Sequence, residues 1–288
     1  MALRINYNNA SLQAQRGLDA SEMVRQRASG QLSSGLRINQ AADDTAGMAV
    51  SEKLKNQVRG LNQAQRNVQD GISLLQTAEG GLTEIHSILA RMRELAVQGA
   101  NDTLVTADRL NINAEFTQLK AEVTRIAEAV NFNGTKLLNA ASGTNVTLQV
   151  GSNSGATNQF TIALTNNIAG TTATVAGSND GLGILDAAQA SVTTQALASS
   201  SITSLDAAIN QVTSNRANIG AMQNRLESAS RSIAVAAENT AAANSRVADA
   251  DIASAMSEMV RAQILQQAGI SVLAQANQAP SLVLQLLR

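Results

Sequence analysis

The sequence predicts a mainly α-helical protein, with a long antiparallel helical bundle or coiled coil, a small β-hairpin region, and paired N- and C-terminal helices. Three observations predict this fold class. Apolar residues recur every seventh position over long stretches. The only proline, Pro280, leaves the helices almost uninterrupted. Aromatic residues make up 1% of the 288 residues, and a chain so poor in them is unlike a globule built around a small-molecule pocket.

The composition also narrows the classes of function. The 21 basic and 22 acidic residues nearly cancel, so we expect no nucleic-acid or membrane partner. The chain has no cysteine and therefore no disulfide or thiolate metal site. No apolar run reaches the ~18 residues of a spanning helix, and the N-terminus lacks the apolar stretch of a cleaved signal peptide. No nucleophile or acid–base constellation stands out, so we expect no enzyme, no cofactor and no metal.

The first long helix is predicted over residues 45–98. Asp43 and Asp44 can cap its start, and Gly99 followed by Asn101 gives a stop. Its seam repeats every seven residues and contains Leu54, Leu61, Val68, Leu75, Leu82 and Leu89. The pair Gly80-Gly81 inside this helix indicates close helix packing or a local bend.

Two further helices follow the same rule. One is predicted over residues 106–130 and ends at the sequence Asn131-Phe-Asn-Gly134. The other begins near Ile202, and its seven-residue repeat comprises Leu205, Val212, Ile219, Leu226, Ile233 and Val247. Three such seams can bury one another in an antiparallel bundle; the simpler interpretation is an ordinary soluble bundle.

The middle of the chain has a different composition. Residues 146–150 and 159–164 alternate apolar and polar side chains around a turn-rich stretch, which predicts a strand pair at about 145–165. Residues 165–181 are predicted to be loop. The chain therefore goes out as helices, turns at a small β region and returns as a helix, so its two ends should meet.

The two ends, residues 1–44 and 248–288, form a predicted terminal helical domain, and residues 45–247 form a second one. The C-terminal end carries an apolar stripe with a spacing of about four residues, which includes Met256, Val260, Ile264 and Val272. The N-terminal end has a weaker apolar face of Leu3, Ile5, Leu12, Leu18, Met23 and Val24. A pair of helices with such small side chains gains little from burial. We therefore expect these ends to order only against neighbouring copies.

Several isolated features have simpler explanations than a functional site. His86 is the only histidine, and without cysteine it makes neither an ordinary zinc site nor a catalytic dyad, so a place on the helix surface is expected. Four Asn-x-Ser/Thr sequons are consistent with chance. O-glycosylation within residues 143–200 is a livelier hypothesis, because that polar region should face outward.

Three segments resemble bacterial flagellin. They are residues 32–48 (LSSGLRINQAADDTAGM), 91–102 (RMRELAVQGAND) and 262–277 (AQILQQAGISVLAQAN). The resemblance covers about residues 1–165 and 184–288. It implies a structural subunit that polymerises into the extracellular flagellar filament for swimming. In that reading the terminal helices form the inner tube, the long helices form the shaft, and no outer domains are present.

The resemblance also implies partners. Flagellins are exported through the flagellum's own type III apparatus, with an export chaperone, a filament cap and hook-junction proteins as partners. Within the family, animal Toll-like receptor 5 recognises shaft residues that match Arg91, Leu95 and Glu115 here. Their simpler interpretation is a solvated helix face or a contact between subunits. The alternative functions are a hook–filament junction protein and a secreted helical effector.

Overall fold

The computed structural model describes residues 8–139, 145–163 and 191–286, with side chains to residue 278. It is mainly helical, as predicted. The elements in chain order are α1 (Asn9–Ser34), α2 (Thr45–Gly99), α3 (Thr106–Ala129), β1 (Asn131–Phe132), β2 (Thr135–Lys136), β3 (Asn145–Gln149), β4 (Gln159–Ala163), α4 (Gln195–Ala248) and α5 (Ile252–Leu286). A single 3-10 turn, Ala156–Asn158, precedes β4. The described helices include none that is long and apolar enough to cross a membrane.

The chain divides into two compact units. One comprises Met1–Val58 and Glu238–Arg288, and the other comprises Arg59–Ala237. Helices α2 and α4 each contribute to both units. The sequence-based boundaries at residues 44 and 248 mark the breaks between helices instead.

In the unit Arg59–Ala237, α2 and α4 run antiparallel. Gln65 donates to the Ser230 hydroxyl over 2.8 Å, and the Arg93 guanidinium bonds the Asp206 carboxylate at 2.6 Å. Residues further along α2 contact residues that come earlier in α4, which shows that the two helices are antiparallel. The seven-residue seams form the core as predicted: Leu61, Val68, Leu75, Leu82 and Leu89 are buried on α2, and Leu205, Val212, Leu226 and Ile233 are buried on α4. Leu54 is only half-buried and belongs to the other unit.

Helix α3 returns along α2 and places Phe116, Val123 and Ala127 in the same core. The turn between α2 and α3 is held by Arg109. Its guanidinium donates to the carbonyl oxygens of Gly99 at 3.1 Å and Asn101 at 2.9 Å. This clamp satisfies carbonyl groups at the C-terminal end of α2 that have no partner within the helix.

A two-residue hairpin follows α3 that the sequence analysis treated only as a helix end. Strand β1 pairs with β2 antiparallel, with Phe132 opposite Thr135. Its turn residues, Asn133 and Gly134, have φ angles of 48° and 80°. Asn-Gly is the preferred sequence for such a left-handed two-residue turn, so the signal for this hairpin was present in the sequence.

The predicted strand pair is confirmed as β3 and β4, with bounds shifted by one residue. Leu148 lies opposite Phe160 in the antiparallel register, and Val146 lies opposite Ile162. These four side chains share one face and pack on the core. The Arg225 guanidinium lies 4.7 Å from the Phe160 ring centroid, over the ring face.

The predicted ends of the helices are only partly confirmed. Asp44 caps α2, since its Oδ1 accepts from the Gly47 amide at 2.8 Å, whereas Asp43 accepts from the Asn39 and Gln40 amides in the preceding loop. Helix α4 begins at Gln195, about two turns before the predicted start at Ile202. The predicted loop at 165–181 lies outside the described residues, as does half of the proposed glycosylation region, residues 143–200.

Candidate assembly surface

Helices α1 and α5 pack antiparallel along a seam of mostly small side chains. On α1 the buried and half-buried positions alternate spacings of three and four residues: Ser11, Ala14, Leu18, Ser21, Arg25, Ala28 and Leu32. On α5 the corresponding positions are Ala255, Met259, Ala262, Gln266, Gly269, Leu273 and Ala276. Both sets follow a seven-residue repeat, which is the geometry of a coiled-coil seam.

Polar contacts fix the register of this pair. The Asn8 side chain caps α1 by accepting from the Ser11 amide at 3.1 Å, and its Nδ2 donates to the Ala276 carbonyl at 2.7 Å. The Ser11 hydroxyl bonds Asn277 Oδ1 at 3.0 Å. At Gly269 an added Cβ would lie 3.3 Å from Leu18, so the glycine allows the two helices to approach closely.

The apolar stripe predicted on α5 does not form this seam. Met256, Val260, Ile264 and Val272 are exposed, with Ile264 at 60%. The helices meet instead through small side chains interspersed with Leu18, Leu32, Met259 and Leu273, and the small residues let the two backbones approach closely. The seam was legible as a seven-residue repeat of small residues, which the more conspicuous four-residue stripe obscured. The assembly role of the stripe stays a prediction.

The two helices expose ten large apolar side chains outside their seam, which are together named the assembly surface. Its members are Leu12, Met23 and Val24 on α1, and Ile252, Met256, Val260, Ile264, Leu265, Ile270 and Val272 on α5. A shallow groove crosses it between Val24 and Leu265, rimmed by Arg27, Glu258 and Arg261. Beyond Arg261 the sequence carries no charged residue until Arg288. Exposed apolar surface of this extent, with little charge, is typical of an interface between proteins.

The loop that follows α1 and the short segment that leads into α5 are tied together. Leu36 and Asp249 form an isolated antiparallel bridge, with the Arg37 amide donating to the Ala248 carbonyl at 2.7 Å. Gly35 ends α1 in the left-handed conformation, with φ of 71°. Asp251 caps α5 by accepting from the Ala253 amide at 3.0 Å. Two helices therefore end and two begin at one cross-linked point.

The three residues predicted for receptor recognition occupy two different environments. Arg91 on α2 is exposed and its guanidinium bonds Glu115 on α3 at 2.9 Å and Glu94 at 3.0 Å. These carboxylates, Glu94 first, raise the pKa of Arg91. Leu95 is 2% exposed and belongs to the core beneath them. The structure therefore presents Arg91 and Glu115 at the surface, and it does not present the Leu95 side chain.

No described group of three or more His, Asp or Glu side chains is arranged to hold a metal ion. His86 is half-buried rather than fully on the helix surface, and its Nδ1 has no hydrogen-bond partner among the described residues. Gly81 is the close-packed member of the glycine pair, since an added Cβ would come within 2.7 Å of Leu138, while Gly80 meets nothing within 4 Å. Helix α2 continues through both glycines without a break.

Comparison with known proteins matches both ends of the chain. Residues 5–144 match the bacterial flagellin N-terminal helical region, and residues 202–287 match the bacterial flagellin C-terminal helical region. A flagellin of Halalkalibacterium halodurans is 46% identical over 284 residues, which is 99% of each chain. A flagellin of Bacillus subtilis is 42% identical over 307 residues, covering 99% of this chain and 100% of its own length.

A solved structure shows the same kind of fold. A Vibrio parahaemolyticus chain provisionally assigned as a flagellar hook-associated protein superimposes with a TM-score of 0.60 at 16% identity, covering 72% of this chain and 100% of its own. The Bacillus cereus flagellin crystal structure matches at 32% identity over 62% of this chain and 94% of its own, with a TM-score of 0.46. The two family regions together cover most of the sequence, and the relatives match over almost its full length. The chain therefore belongs to the bacterial flagellins, the structural, non-enzymatic subunits of the extracellular flagellar filament.

Proposed function

We propose that filament assembly proceeds by packing the assembly surface of one subunit against the α1/α5 pairs of its neighbours. The observation that carries this proposal is the exposure of ten large apolar side chains on two helices whose mutual seam is built from small ones. A helix pair that leaves its largest apolar side chains in water is poorly stabilised alone. It becomes well stabilised once other helices cover them.

The magnitudes favour this arrangement. Burying one fully exposed Leu, Ile, Val or Met side chain contributes about 1.5–3 kcal/mol, and these ten are only half exposed, so covering all of them contributes roughly 8–15 kcal/mol. Association costs about 4–15 kcal/mol in lost translational and rotational freedom. Covering the whole surface offsets that cost, whereas covering two or three side chains does not. Assembly should therefore depend on several neighbours at once, as in a helical filament.

Charged substitutions on adjacent residues of α5 test the proposal. Ile264→Lys places an ammonium group in the assembly surface, and we expect it to prevent elongation of filament seeds by purified protein. Gln263→Lys is the matched control, because Gln263 is also exposed but is polar and outside the assembly surface. Equal elongation by both variants would contradict the proposal. Equal loss in both would show only a general intolerance of charge on α5 and would also count against it.

The same surface suggests when the other partners act. Before assembly an export chaperone is expected to cover it. At the growing end the filament cap and hook-junction proteins are expected to guide the terminal helices, residues 1–44 and 248–288, into the inner tube, with residues 45–247 as the shaft. The alternative is a hook–filament junction protein, whose fold is similar. Such a protein should bind filament seeds without elongating them. Incubating the wild-type protein with seeds therefore distinguishes a filament subunit from a junction protein.

A second proposed role is recognition of the free subunit by animal Toll-like receptor 5. The ion pairs of Arg91 with Glu94 and Glu115 support it, since they hold an exposed guanidinium in a fixed position between α2 and α3. We expect Arg91→Ala to weaken activation of a receptor reporter by soluble monomer. The same substitution should leave the helical content unchanged, because these exposed pairs contribute little to stability. Leu95→Ala is a poor test, because it also removes core packing. An unchanged response to the Arg91 variant would refute the role.

A further inference from the structure

Six of the seven methionines of the chain lie in the part that the structure describes, and their environments differ widely. Met23 is 66% exposed and Met256 is 44% exposed, and both belong to the assembly surface. Met92 is fully buried between the helices of the other unit, with 0% exposure. Met48, Met222 and Met259 are half-buried. Exposure is therefore greatest at two methionines that sit where neighbouring subunits are expected to pack.

Met23 faces away from the seam between α1 and α5. The α1 seam positions nearest to it are Ser21, Arg25 and Ala28. At 100° per residue, Met23 lies about half a turn from the centre of that face. Met256 follows the buried Ala255 directly and is turned about 100° from it. Neither thioether is shielded by the partner helix, so dissolved oxidants reach both sulfur atoms in the free subunit.

We propose that Met23 and Met256 are modification sites for peroxides, and that their oxidation in the free subunit blocks filament assembly. The inference rests on the proposed assembly surface. The thioether sulfur attacks one peroxide oxygen, the O–O bond breaks, and the second oxygen leaves as water after a proton transfer. The sulfur loses two electrons to form the sulfoxide, and the peroxide gains them. A flexible apolar side chain thereby becomes a polar one.

Oxidation should impair assembly because the assembly surface must be buried against neighbouring subunits. A sulfoxide oxygen is a strong hydrogen-bond acceptor, and burying it against apolar neighbours without a donor is unfavourable. The other eight members of the assembly surface, which neighbouring subunits are expected to bring into contact, are Val, Ile and Leu side chains and offer no donor. Within the same subunit, Gln26, Arg27 and Gln31 line the groove beside Met23. Oxidation therefore disfavours the packed state and leaves the free subunit soluble. Within a filament the same sulfur atoms are covered, so assembled subunits are protected.

The first experiment maps the oxidised positions. Purified monomer and sheared filaments are treated with hydrogen peroxide, and methionine oxidation is measured by mass spectrometry of their peptides. In the monomer we expect Met23 and Met256 to be oxidised well before Met92. In the filament both should be protected by at least about tenfold, because their solvent access is removed. Equal oxidation of Met23 and Met92 in the monomer, or of Met23 and Met256 in monomer and filament, would overturn the proposal.

The second experiment measures assembly. The concentration of monomer needed for seed elongation should rise about tenfold or more after peroxide treatment, as loss of one buried apolar side chain implies. Treatment with a methionine sulfoxide reductase should restore it. The variant Met23→Leu with Met256→Leu conserves volume and should elongate before and after peroxide alike. The matched variant Met48→Leu with Met222→Leu keeps both exposed sites and should remain sensitive.

The outcomes separate the two proposals. If untreated wild-type protein elongates and the oxidised protein elongates equally, the oxidation proposal is wrong and the assembly surface stands. If the Met23 and Met256 double variant is as sensitive as wild type, the oxidation proposal is likewise wrong. If untreated protein with intact methionines fails to elongate seeds, the assembly proposal itself fails and the oxidation proposal fails with it.

Discussion

At the residue scale, the missing side chain at Gly81 lets helix α2 pack against Val130 and Leu138. An added Cβ there would come within 2.7 Å of Leu138 and 2.8 Å of Val130. Leu138 is fully buried and Val130 is stiff at its branched carbon, so neither side chain can give way easily. The neighbouring Gly80 is exposed, and its Cβ would meet nothing within 4 Å. The sequence alone indicated that the glycine pair was structurally important. It could not show which of the two glycines is close-packed, because that depends on the side chains that pack against each one.

We therefore expect alanine substitutions at the two glycines to change the free energy of unfolding in opposite directions. Gly81→Ala should lower the free energy of unfolding by about 1–3 kcal/mol through overpacking. Gly80→Ala should raise it by about 0.5–1 kcal/mol, because alanine restricts the unfolded chain and favours the helix. Urea denaturation of the monomer, followed by circular dichroism, measures both. Two variants that shift the midpoint in the same direction would contradict this account of the packing.

A second prediction at this scale concerns Asp206. Its hydrogen bond from Arg93, at 2.6 Å, lowers the pKa of the Asp206 carboxyl below its ordinary value. A group with a lowered pKa in the folded state contributes stability at pH values above its unfolded pKa, and that contribution is lost as the pH falls through the folded pKa. The pair is about half exposed, so its contribution should be small. In Arg93→Gln, an NMR titration should show the pKa of Asp206 raised relative to wild type. An unchanged pKa would mean that the pair does not persist in solution.

At the element scale, the long seams and the pairing of the terminal helices were predictable, whereas the residues that form the terminal seam were not. Leucine and valine at every seventh residue of α2 leave one possible buried face, and Val68, Leu82 and Leu89 are completely buried there. The ends lack such a contrast, because large apolar side chains such as Leu18 and Leu273 lie in the seam while others of similar size lie outside it. Periodicity therefore identified the apolar stripe on α5 but assigned it no partner. The Asn-Gly turn of the β1–β2 hairpin was overlooked because it follows a helix directly and each strand has only two residues.

The small side chains of the α1/α5 seam lead to a prediction about the free subunit. Each buried alanine contributes far less than a leucine, and both helices must pay the conformational entropy of ordering. We expect hydrogen exchange on the monomer to show weak protection in Asn9–Ser34 and Ile252–Leu286. The segments of α2 and α4 around Leu82 and Val212 should exchange slowly. Strong protection of α1 in the monomer would show that the pair is stable without neighbours.

At the scale of the whole molecule, the boundary between the two parts of the chain can be placed in two ways. The helix breaks put it at residues 44 and 248, whereas the compact units meet at Val58 and Glu238. The segments between the two placements of the boundary, residues 45–58 and 238–248, also make contacts with each other. Ser51 is buried, and its hydroxyl bonds Asn244 Oδ1 at 2.8 Å, so α2 and α4 continue to pair below the boundary of the compact units. Leu54 adds a half-buried apolar side chain to the same segment.

Two fragments decide between these boundaries. Fragment 45–247 keeps the Ser51–Asn244 bond and the whole of α2 and α4, whereas fragment 59–237 loses both. We expect fragment 45–247 to unfold cooperatively, and at a higher temperature than fragment 59–237, since it keeps more paired helix without adding unpaired ends. Neither fragment should elongate filament seeds, because both lack α1 and α5. Calorimetry and a seeded reaction provide the two readouts. Equal thermal stability would favour the shorter unit as the independent domain, and elongation by either fragment would place the assembly contacts outside the terminal helices.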